Sequence, residues 1–592
     1  MGAVFSTLRL ALQTLKALID DYETLSKRIS LSPGIPQLNS SVPYWTIPPS
    51  SIANHGQDAE LPQYADVVII GSGITGTSIA KAMLERSSNE LKIVMLEARD
   101  ACSGATGRNG GHASPLIYNE YFELKKTHGA ATALQILRFR LAHITTLIDV
   151  AKEENLLSES QARLVEDFDA YLRPELFSKA KKDLDNFVKE VPKEISDSFA
   201  VIEERNAIET LQLATSIVGL IVKPGASIHA YRFVTGILSN LLDRYSNFQL
   251  YTRTPCTAIA TDNGLYIATT PRGRVRTQHV IHATNAWTSH LLPGLRRKIV
   301  PVRAHMSAQR PGQGLSLAKS SNSMSEPTTS WTGSRAFVFY PSSLETAYEY
   351  LTQLLPSPIS ASSVTPTSAT TCNSAGSSTD TLTSQSTPSS LPTAGEFMFG
   401  GGAMLGGQSE AALMNAIGVS DDGGSDFVVE SYLGGSLERY FSGHWGQEGN
   451  DPDTEAGKPP GGEWGKGRAK AFWTGLVALS ADMQPWVGRV PPSISGRPEP
   501  KPLSMQNKGP LEGKFKFGTD ELTLSPAGEW VCAGYSGEGM VHAWLSGRAV
   551  ARMVLDITEK DVGSPELPSP FFITEKRVKQ AKIEHLMERA GH

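Results

Sequence analysis

The stretch Ala65-Asp66-Val67-Val68-Ile69-Ile70-Gly71-Ser72-Gly73-Ile74-Thr75-Gly76 runs from an apolar segment straight into glycines spaced Gly-x-Gly-x-x-Gly. The apolar part shows no polar alternation, which predicts a strand buried on both faces. Each glycine has a mechanical reason to be there. Gly71 permits the tight turn out of the strand, Gly73 lets the backbone approach a pyrophosphate, and Gly76 lets the next helix pack closely on the sheet. That helix is predicted over residues 77–86, and its amino terminus offers N–H groups and partial positive charge to the pyrophosphate. Gly71, Ser72, Gly73, Ile74, Thr75 and Gly76 are therefore the expected nucleotide contacts. A second strand, Leu91-Lys92-Ile93-Val94-Met95-Leu96, ends at Glu97, a carboxylate placed to accept from ribose hydroxyls. A lone glycine turn says little; strand, glycines, helix, strand and acid in order within about thirty residues say much more.

Past Glu97 the chain reads Ala98-Arg99-Asp100-Ala101-Cys102-Ser103-Gly104-Ala105-Thr106-Gly107-Arg108-Asn109-Gly110-Gly111-His112. Six of the ten residues from Ser103 are small, four of them glycine, so backbone can lie against a large planar ligand. This segment resembles the second flavin-contact motif of the D-amino-acid oxidase-like superfamily, the glycine and sarcosine oxidase group. Its Gly107-Arg108-Asn109-Gly110-Gly111 core resembles the gamma-glutamylputrescine oxidase branch in particular.

Further segments resemble the same family in the expected order. Residues 281–287 resemble the strand-and-turn that returns to the FAD domain, and Ile299-Val300-Pro301-Val302-Arg303 the crossover into the substrate domain. Trp473-Thr474-Gly475 and residues 482–488 resemble the approach to the closing strand. Trp530-Val531-Cys532-Ala533-Gly534-Tyr535-Ser536-Gly537-Glu538-Gly539-Met540, with a helix expected over 541–555, resembles the loop that faces the flavin pyrimidine. A helix amino terminus there supplies positive charge where a reduced flavin becomes anionic.

The resemblance implies an α/β fold, with a Rossmann-type FAD-binding domain carrying an inserted mixed-sheet substrate domain. It implies FAD contacts at Glu97, Ala98, Arg99, Ser103, Gly104, Ala105, Thr106, Arg108, Asn109, Gly110, Gly111, Gly534, Gly537, Glu538, Gly539 and Met540, besides the glycine turn. Relatives that attach flavin covalently use a cysteine near Gly475 or a histidine near Arg108; neither is present, so FAD is expected to be non-covalent. The implied chemistry is hydride removal from the carbon beside an amine nitrogen, with transfer to flavin N5 and reoxidation by O2. No metal site is expected. Candidate substrate residues are His112, which equally suits a structural hydrogen bond, and Arg303 and Arg335, as carboxylate clamps or ion-pair partners. Trp473 and Trp486 are candidates for the flavin cavity or for plain core.

The 592 residues exceed one compact core, which predicts two lobes. A net charge of −5 without a basic stripe excludes a nucleic-acid partner. Four scattered cysteines, Cys102, Cys256, Cys372 and Cys532, suit a reducing compartment. The expected location is cytoplasmic, with neither secretory signal nor transmembrane helix. Phe5, Leu8, Leu12, Leu15, Ile19 and Tyr22 share one helical face, predicting an amphipathic amino-terminal helix. It docks either on the protein's own body or on a membrane surface or partner. Residues 1–6 also fit the loose myristoylation pattern.

The expected order is helix 1–31, linker 32–64, first FAD part 65–117 and helical or substrate region 118–210. A second FAD part 211–300, substrate domain 301–472, closing FAD part 473–556 and tail 557–592 follow. Within the substrate domain, a Ser/Thr-rich stretch at about 356–395 is expected to be a disordered insertion. Two other functions suit parts of this pattern. One is a membrane-associated dehydrogenase passing electrons to a quinone; the other is a non-catalytic flavoprotein acting through partners.

Overall fold

The computed structural model describes residues 20, 22–87, 91–315, 333–355, 395–446, 468–500, 515–517, 520–522, 524–557 and 565–584. The Ser/Thr-rich insertion and most of the amino-terminal helix lie outside these residues. The strands are β1 (Tyr64–Ile70), β2 (Ile93–Leu96), β3 (His112–Ala113), β4 (Arg163–Tyr171), β5 (Ala200–Ile202) and β6 (Gly219–Ser227). Next come β7 (Phe248–Tyr251), β8 (Ala258–Asp262), β9 (Leu265–Thr270), β10 (Gly273–His282), β11 (Ile299–Gln309) and β12 (Arg335–Tyr340). The last are β13 (Glu349–Gln353), β14 (Phe397–Gly401), β15 (Ala469–Ser480), β16 (Trp486–Arg489), β17 (Phe515–Phe517), β18 (Asp520–Leu522) and β19 (Gly528–Ala533).

One sheet has the order β16-β19-β10-β1-β2-β7, with β19, β10, β1, β2 and β7 parallel. Such strands are buried on both faces, as in β1, where all but Tyr64 are buried. The glycine turn sits at the carboxyl end of β1, between β10 and β2, the usual place for a dinucleotide in an open parallel sheet. The helix Ile74–Ser87 packs on the helix Ala543–Val554. There a Cβ on Gly547 would lie 2.9 Å from the Ser78 side chain.

The second sheet has the order β15-β11-β14-β13-β12-β4-β6-β3, mixed because β4 and β12 are parallel while their neighbours are antiparallel. One face carries the aromatic core of Phe337, Phe339, Phe397 and Phe399 under Tyr440 and Phe441. The other face turns toward the dinucleotide-binding part and joins the larger core through Met306, Val338, Tyr340 and Trp473.

Several sequence expectations shift. Residues 118–210 are not helical throughout: β4 and β5 interrupt them, because Phe168 and Ala170 pack into the second sheet's aromatic core. Pairing with β4 draws β6, expected in the FAD part, into the second sheet, and β3 follows it. Its β11-to-β15 part reaches from Ile299 to Ser480, beyond the expected 301–472, since β11 and β15 pair along their length.

The 32–64 segment is no free linker, for Tyr44, Trp45, Ile52 and Ala53 are buried and Trp45 Nε1 donates to the Asn109 carbonyl. The tail is anchored over residues 565–584: Phe571 is buried, and the Arg577 guanidinium stacks 3.8 Å from the Trp486 ring while donating to Asp482. Residues 22–30 are helical and bury Leu25 and Ile29 against Trp486 and Ile583, although Tyr22 is exposed. Among the described residues no helix is long and apolar enough to cross a membrane.

Three buried histidines make the fold acid-sensitive. His143 Nδ1 donates to the Phe139 carbonyl while Nε2 accepts from Leu545 N–H at 3.1 Å. A ring nitrogen of His229 accepts from Arg232 N–H, and one of His279 from Trp530 Nε1. Burial pulls all three down to about 3. The unfolded chain takes up protons from about pH 6.5 and the native one does not, so this stability is present above 6.5 and lost as pH falls toward 3. Unfolding free energy from urea titration is expected to drop by about 0.7 kcal/mol per histidine, about 2 kcal/mol for the three, between pH 7 and pH 6. An unchanged urea midpoint over that interval would show that these rings take up protons in the native state as readily as in the unfolded one.

Candidate functional site

Gly71 adopts a φ of +109°, and a Cβ there would sit 2.5 Å from the Ala283 carbonyl oxygen. A Cβ on Gly76 would sit 2.0 Å from the Gly71 carbonyl oxygen, so β1 and the helix touch backbone to backbone. Gly73 is different in kind. Its Cβ would meet the Thr106 hydroxyl at 3.0 Å, and that hydroxyl accepts from Ile74 N–H at 3.1 Å over the helix amino terminus. The first turn carries no acidic residue, which leaves its charge to an anion. Thr75 Oγ1 is 2.8 Å from the Tyr535 hydroxyl, tying this turn to the closing loop.

Glu97 is buried at the end of β2. One carboxylate oxygen accepts from Ser72 N–H at 3.1 Å and Ser72 Oγ at 2.6 Å, the other from Arg99 N–H at 3.0 Å. A carboxylate has about four acceptor positions, so capacity remains for a sugar hydroxyl. Ala98 follows half-buried, and the loop from Ser103 through Gly104, Ala105 and Thr106 lies over the turn. A Cβ on Gly104 would meet nothing closer than Trp287 at 3.9 Å, and one on Gly537 nothing within 4 Å. Neither position has a close neighbour, and Gly537 is exposed. This donor set fits a dinucleotide: a helix amino terminus without acids, a carboxylate at the strand end, and walls of glycine.

Several expected contacts have other uses for their side chains. The Arg99 guanidinium donates twice to Asp422 at 2.9 Å, and Arg108 donates to Ser103 O, Ser40 Oγ, Ser41 O and Thr474 O. Both are buried and hold the loop to the 32–64 segment and to β15. Glu538 accepts from Leu116 N–H at 3.0 Å and pairs with Arg140. Asn109 Oδ1 accepts from Gly111 N–H, and its amide lies 3.6 Å from Met540 Sδ. A Cβ on Gly110 would collide with Tyr350 at 2.4 Å. Gly534 turns with a φ of +80°, Gly539 opens a short 3-10 turn, and the helix expected over 541–555 begins only at Ala543.

His112 lies on the inward face of the second sheet, with a group of residues the sequence reading missed. Register places His112, Lys223, Asp167, Asp169 and Tyr350 on this face with Met306 and Trp473. Lys223 Nζ is 2.7 Å from Asp169 Oδ1, and the Tyr118 hydroxyl donates to Asp169 Oδ2 at 2.6 Å. Burial pushes the Asp169 carboxyl up, against the pull of Lys223. Burial also acts on Asp167, but the neighbouring His112 and Lys223 hold it below the ordinary carboxylate range. The alternation Asp167-Phe168-Asp169-Ala170 was the available signal: a period of two with charges on one face.

Arg303 and Arg335 do not join this group. Alternation along β11 and β12 puts both on the aromatic face, Arg303 3.7 Å from Asp421 and Arg335 in register with Glu166. Trp473 Nε1 donates to the Arg108 carbonyl on the inward face, while Trp486 is core and donates to Ser480 Oγ.

Residues 66–553 match the family model described as FAD dependent oxidoreductase, DAO. A probable oxidoreductase, OrdL, of Haemophilus influenzae is 24% identical over 269 residues, 44% of this chain and 59% of its own length, so the chain spans less than two thirds of that relative. Glycine oxidase from Geobacillus kaustophilus shares the fold with a TM-score of 0.51 and 15% identity, covering 87% of this chain and 99% of that one. L-amino acid deaminase from Proteus vulgaris does so with 0.52 and 14%, covering 88% and 96%. With the matched segment covering most of the chain and the dinucleotide turn at its head, the chain belongs to the DAO family of FAD-dependent oxidoreductases.

Proposed function

We propose that this oxidoreductase oxidises a C–N bond of an amine or amino-acid-like substrate. FAD, when bound, supplies the two-electron acceptor at flavin N5 and is reoxidised by O2 with release of H2O2. The substrate loses the hydride and a proton, and the resulting imine is hydrolysed by water. The protein's share is to orient the C–H bond and to fix the charge on the nitrogen.

The observation that carries this reading is the buried polar face of His112, Asp167, Asp169 and Lys223, set on the sheet that adjoins the dinucleotide loop. Charged groups are seldom buried without a use. The printed names of the structural neighbours, glycine oxidase and L-amino acid deaminase, support the same class. Residues 71–76, Glu97 and the loops 103–111 and 534–540 would hold FAD, with Arg99, Arg108 and Glu538 acting through the loops they brace.

Purified protein is expected to be yellow and to bleach anaerobically with one or more members of an amine and amino-acid panel. A flavin that no member reduces would overturn the reading. Stoichiometric peroxide on re-aeration supports O2 as acceptor; its absence, with quinone reduction, favours the dehydrogenase alternative. Acid precipitation is expected to leave the whole chromophore in the supernatant, because Gly475 and Arg108 offer no attachment point and a Cβ at Gly475 already meets Arg108 Cβ at 3.0 Å. Colour retained in the washed pellet would refute non-covalent binding.

A further inference from the structure

We propose that Arg140 is a positioning residue for FAD: it pins the turn 537–542 and cancels the Glu538 charge, so that the closing loop favours the reduced cofactor. The inference goes beyond the C–N oxidation reading and rests on the FAD placement given with it. Two contacts set the closing loop beside the other walls of that place. The Tyr535 hydroxyl meets Thr75 Oγ1 at the helix amino terminus, and Met540 Sδ meets the Asn109 amide of the glycine-rich loop.

Arg140 comes from the helix Ala130–Glu153, is buried, and spends its guanidinium on this corner. Nε donates to His542 Nε2 at 3.1 Å; Nη1 donates to the Leu116 carbonyl at 2.9 Å and to Glu120 at 2.7 Å. Nη2 lies 3.2 Å from Glu538 Oε2, and Glu538 Oε1 accepts from Leu116 N–H. An arginine nitrogen can only donate, so His542 Nε2 accepts and its Nδ1 carries the proton. Nδ1 then donates to the Glu538 carbonyl at 2.9 Å, which closes the turn on itself. Burial and the Arg140 charge hold His542 well below the ordinary histidine range, in keeping with that neutral ring.

Three residues on, the same helical face grips the next helix, where His143 Nε2 accepts from Leu545 N–H. That contact occupies part of the first turn of the helix Ala543–Val554, whose positive end was the charge expected for a reduced flavin. Arg140 supplies a full cation at the same corner. Lys223 is no substitute, because its Nζ lies 2.7 Å from Asp169. Without Arg140, Glu120 and Glu538 leave two carboxylates behind the loop. Uncovered acids there oppose the negative charge of a reduced flavin more than they disturb the neutral oxidised ring.

The test is the flavin midpoint potential at pH 8, from dithionite titration against a redox dye, in FAD-loaded wild type and variants. Arg140→Met is expected to weaken reduced FAD at least tenfold more than oxidised FAD, a midpoint about 30 mV more negative for a two-electron couple. Arg140→Lys keeps the charge and loses the fork, and is expected to stay within threefold of wild type. Glu538→Gln is expected to favour reduced FAD, and to recover most of the loss when combined with Arg140→Met. A purely structural brace would weaken both redox states equally. An unchanged midpoint in Arg140→Met, or a lysine variant shifted as far as the methionine one, would therefore overturn the proposal. Should Arg140→Met fail to fold or lose its flavin, Glu538→Gln decides: a midpoint at or below the wild-type value overturns it. No amine enters the titration, so a flavin that no amine reduces would refute the oxidation reading and leave this result standing. An unchanged midpoint in a flavin that amines reduce would do the reverse.

Discussion

Alanine at position 76 is expected to strip the protein of FAD and to lower its unfolding free energy by about 3 kcal/mol, the upper end of ordinary overpacking. The added methyl would lie 2.0 Å from the Gly71 carbonyl oxygen, 3.1 Å from its carbon and 3.4 Å from Ile69 Cγ2. Two of these atoms are backbone, so no rotamer change relieves the contact. The helix Ile74–Ser87 must lift from β1, and its N–H groups would move away from the place proposed for the phosphates.

Gly73→Val separates folding from binding. The nearest atom there is the Thr106 hydroxyl, which can rotate, so the apoprotein should fold while the valine occupies the pyrophosphate approach. Gly435→Ala is the control: nothing lies within 4 Å of its Cβ, and it sits in the helix Phe427–Ser436, where alanine gains about 0.5–1 kcal/mol. Urea titration of each variant, with flavin content from absorbance, gives both quantities. A Gly76→Ala protein that unfolds with the wild type and keeps its flavin would refute the close packing. A Gly73→Val protein that keeps its flavin would refute the placement of the phosphates.

The dinucleotide unit was legible because everything that defines it is local. Strand, turn, helix and acid follow one another from Asp66 to Glu97, and a glycine can be read for its conformation without knowing what surrounds it. β4 was not legible in the same way. Leu164, Glu166, Asp167 and Asp169 mix charge with apolar residues at spacings that a helix also tolerates, and only pairing with β6 and β12 decides for a strand. The same pairing assigns faces. It turns Arg303 and Arg335 away from His112 and brings in Asp167 and Lys223, none of which composition could fix. The 32–64 segment read as a linker because of its prolines, yet Tyr44 and Trp45 act as plugs against partners far along the chain. In Asp421-Asp422-Gly423-Gly424 the first carboxylate is half exposed. Its neighbour has the opposite fate.

Asp422→Asn is expected to cost about 4 kcal/mol, the range for breaking a buried ion pair from one side, and to weaken FAD binding at least tenfold. The Asp422 carboxylate accepts from both terminal nitrogens of Arg99 at 2.9 Å and lies 3.4 Å from Arg108 Nε. The three side chains are 1%, 5% and 2% exposed, so one acid neutralises two buried guanidinium groups. With Asp422 beside it, Arg108 is lowered by burial to about 10 and is charged at neutral pH, so the variant strands a guanidinium that the wild type neutralises. Arg99 N–H donates to Glu97 and Arg108 Nε donates to the Ser103 carbonyl, so loss of their counterion loosens both of the places proposed to hold the ribose and the flavin. Asp421→Asn, at a side chain 51% exposed, should stay within about 0.5 kcal/mol of wild type. Adding Arg108→Met to Asp422→Asn should recover part of the loss, because it removes one of the two stranded charges. Additive losses in that double variant, or an Asp422→Asn unfolding curve superimposed on wild type, would show that the carboxylate does not hold the two arginines in place.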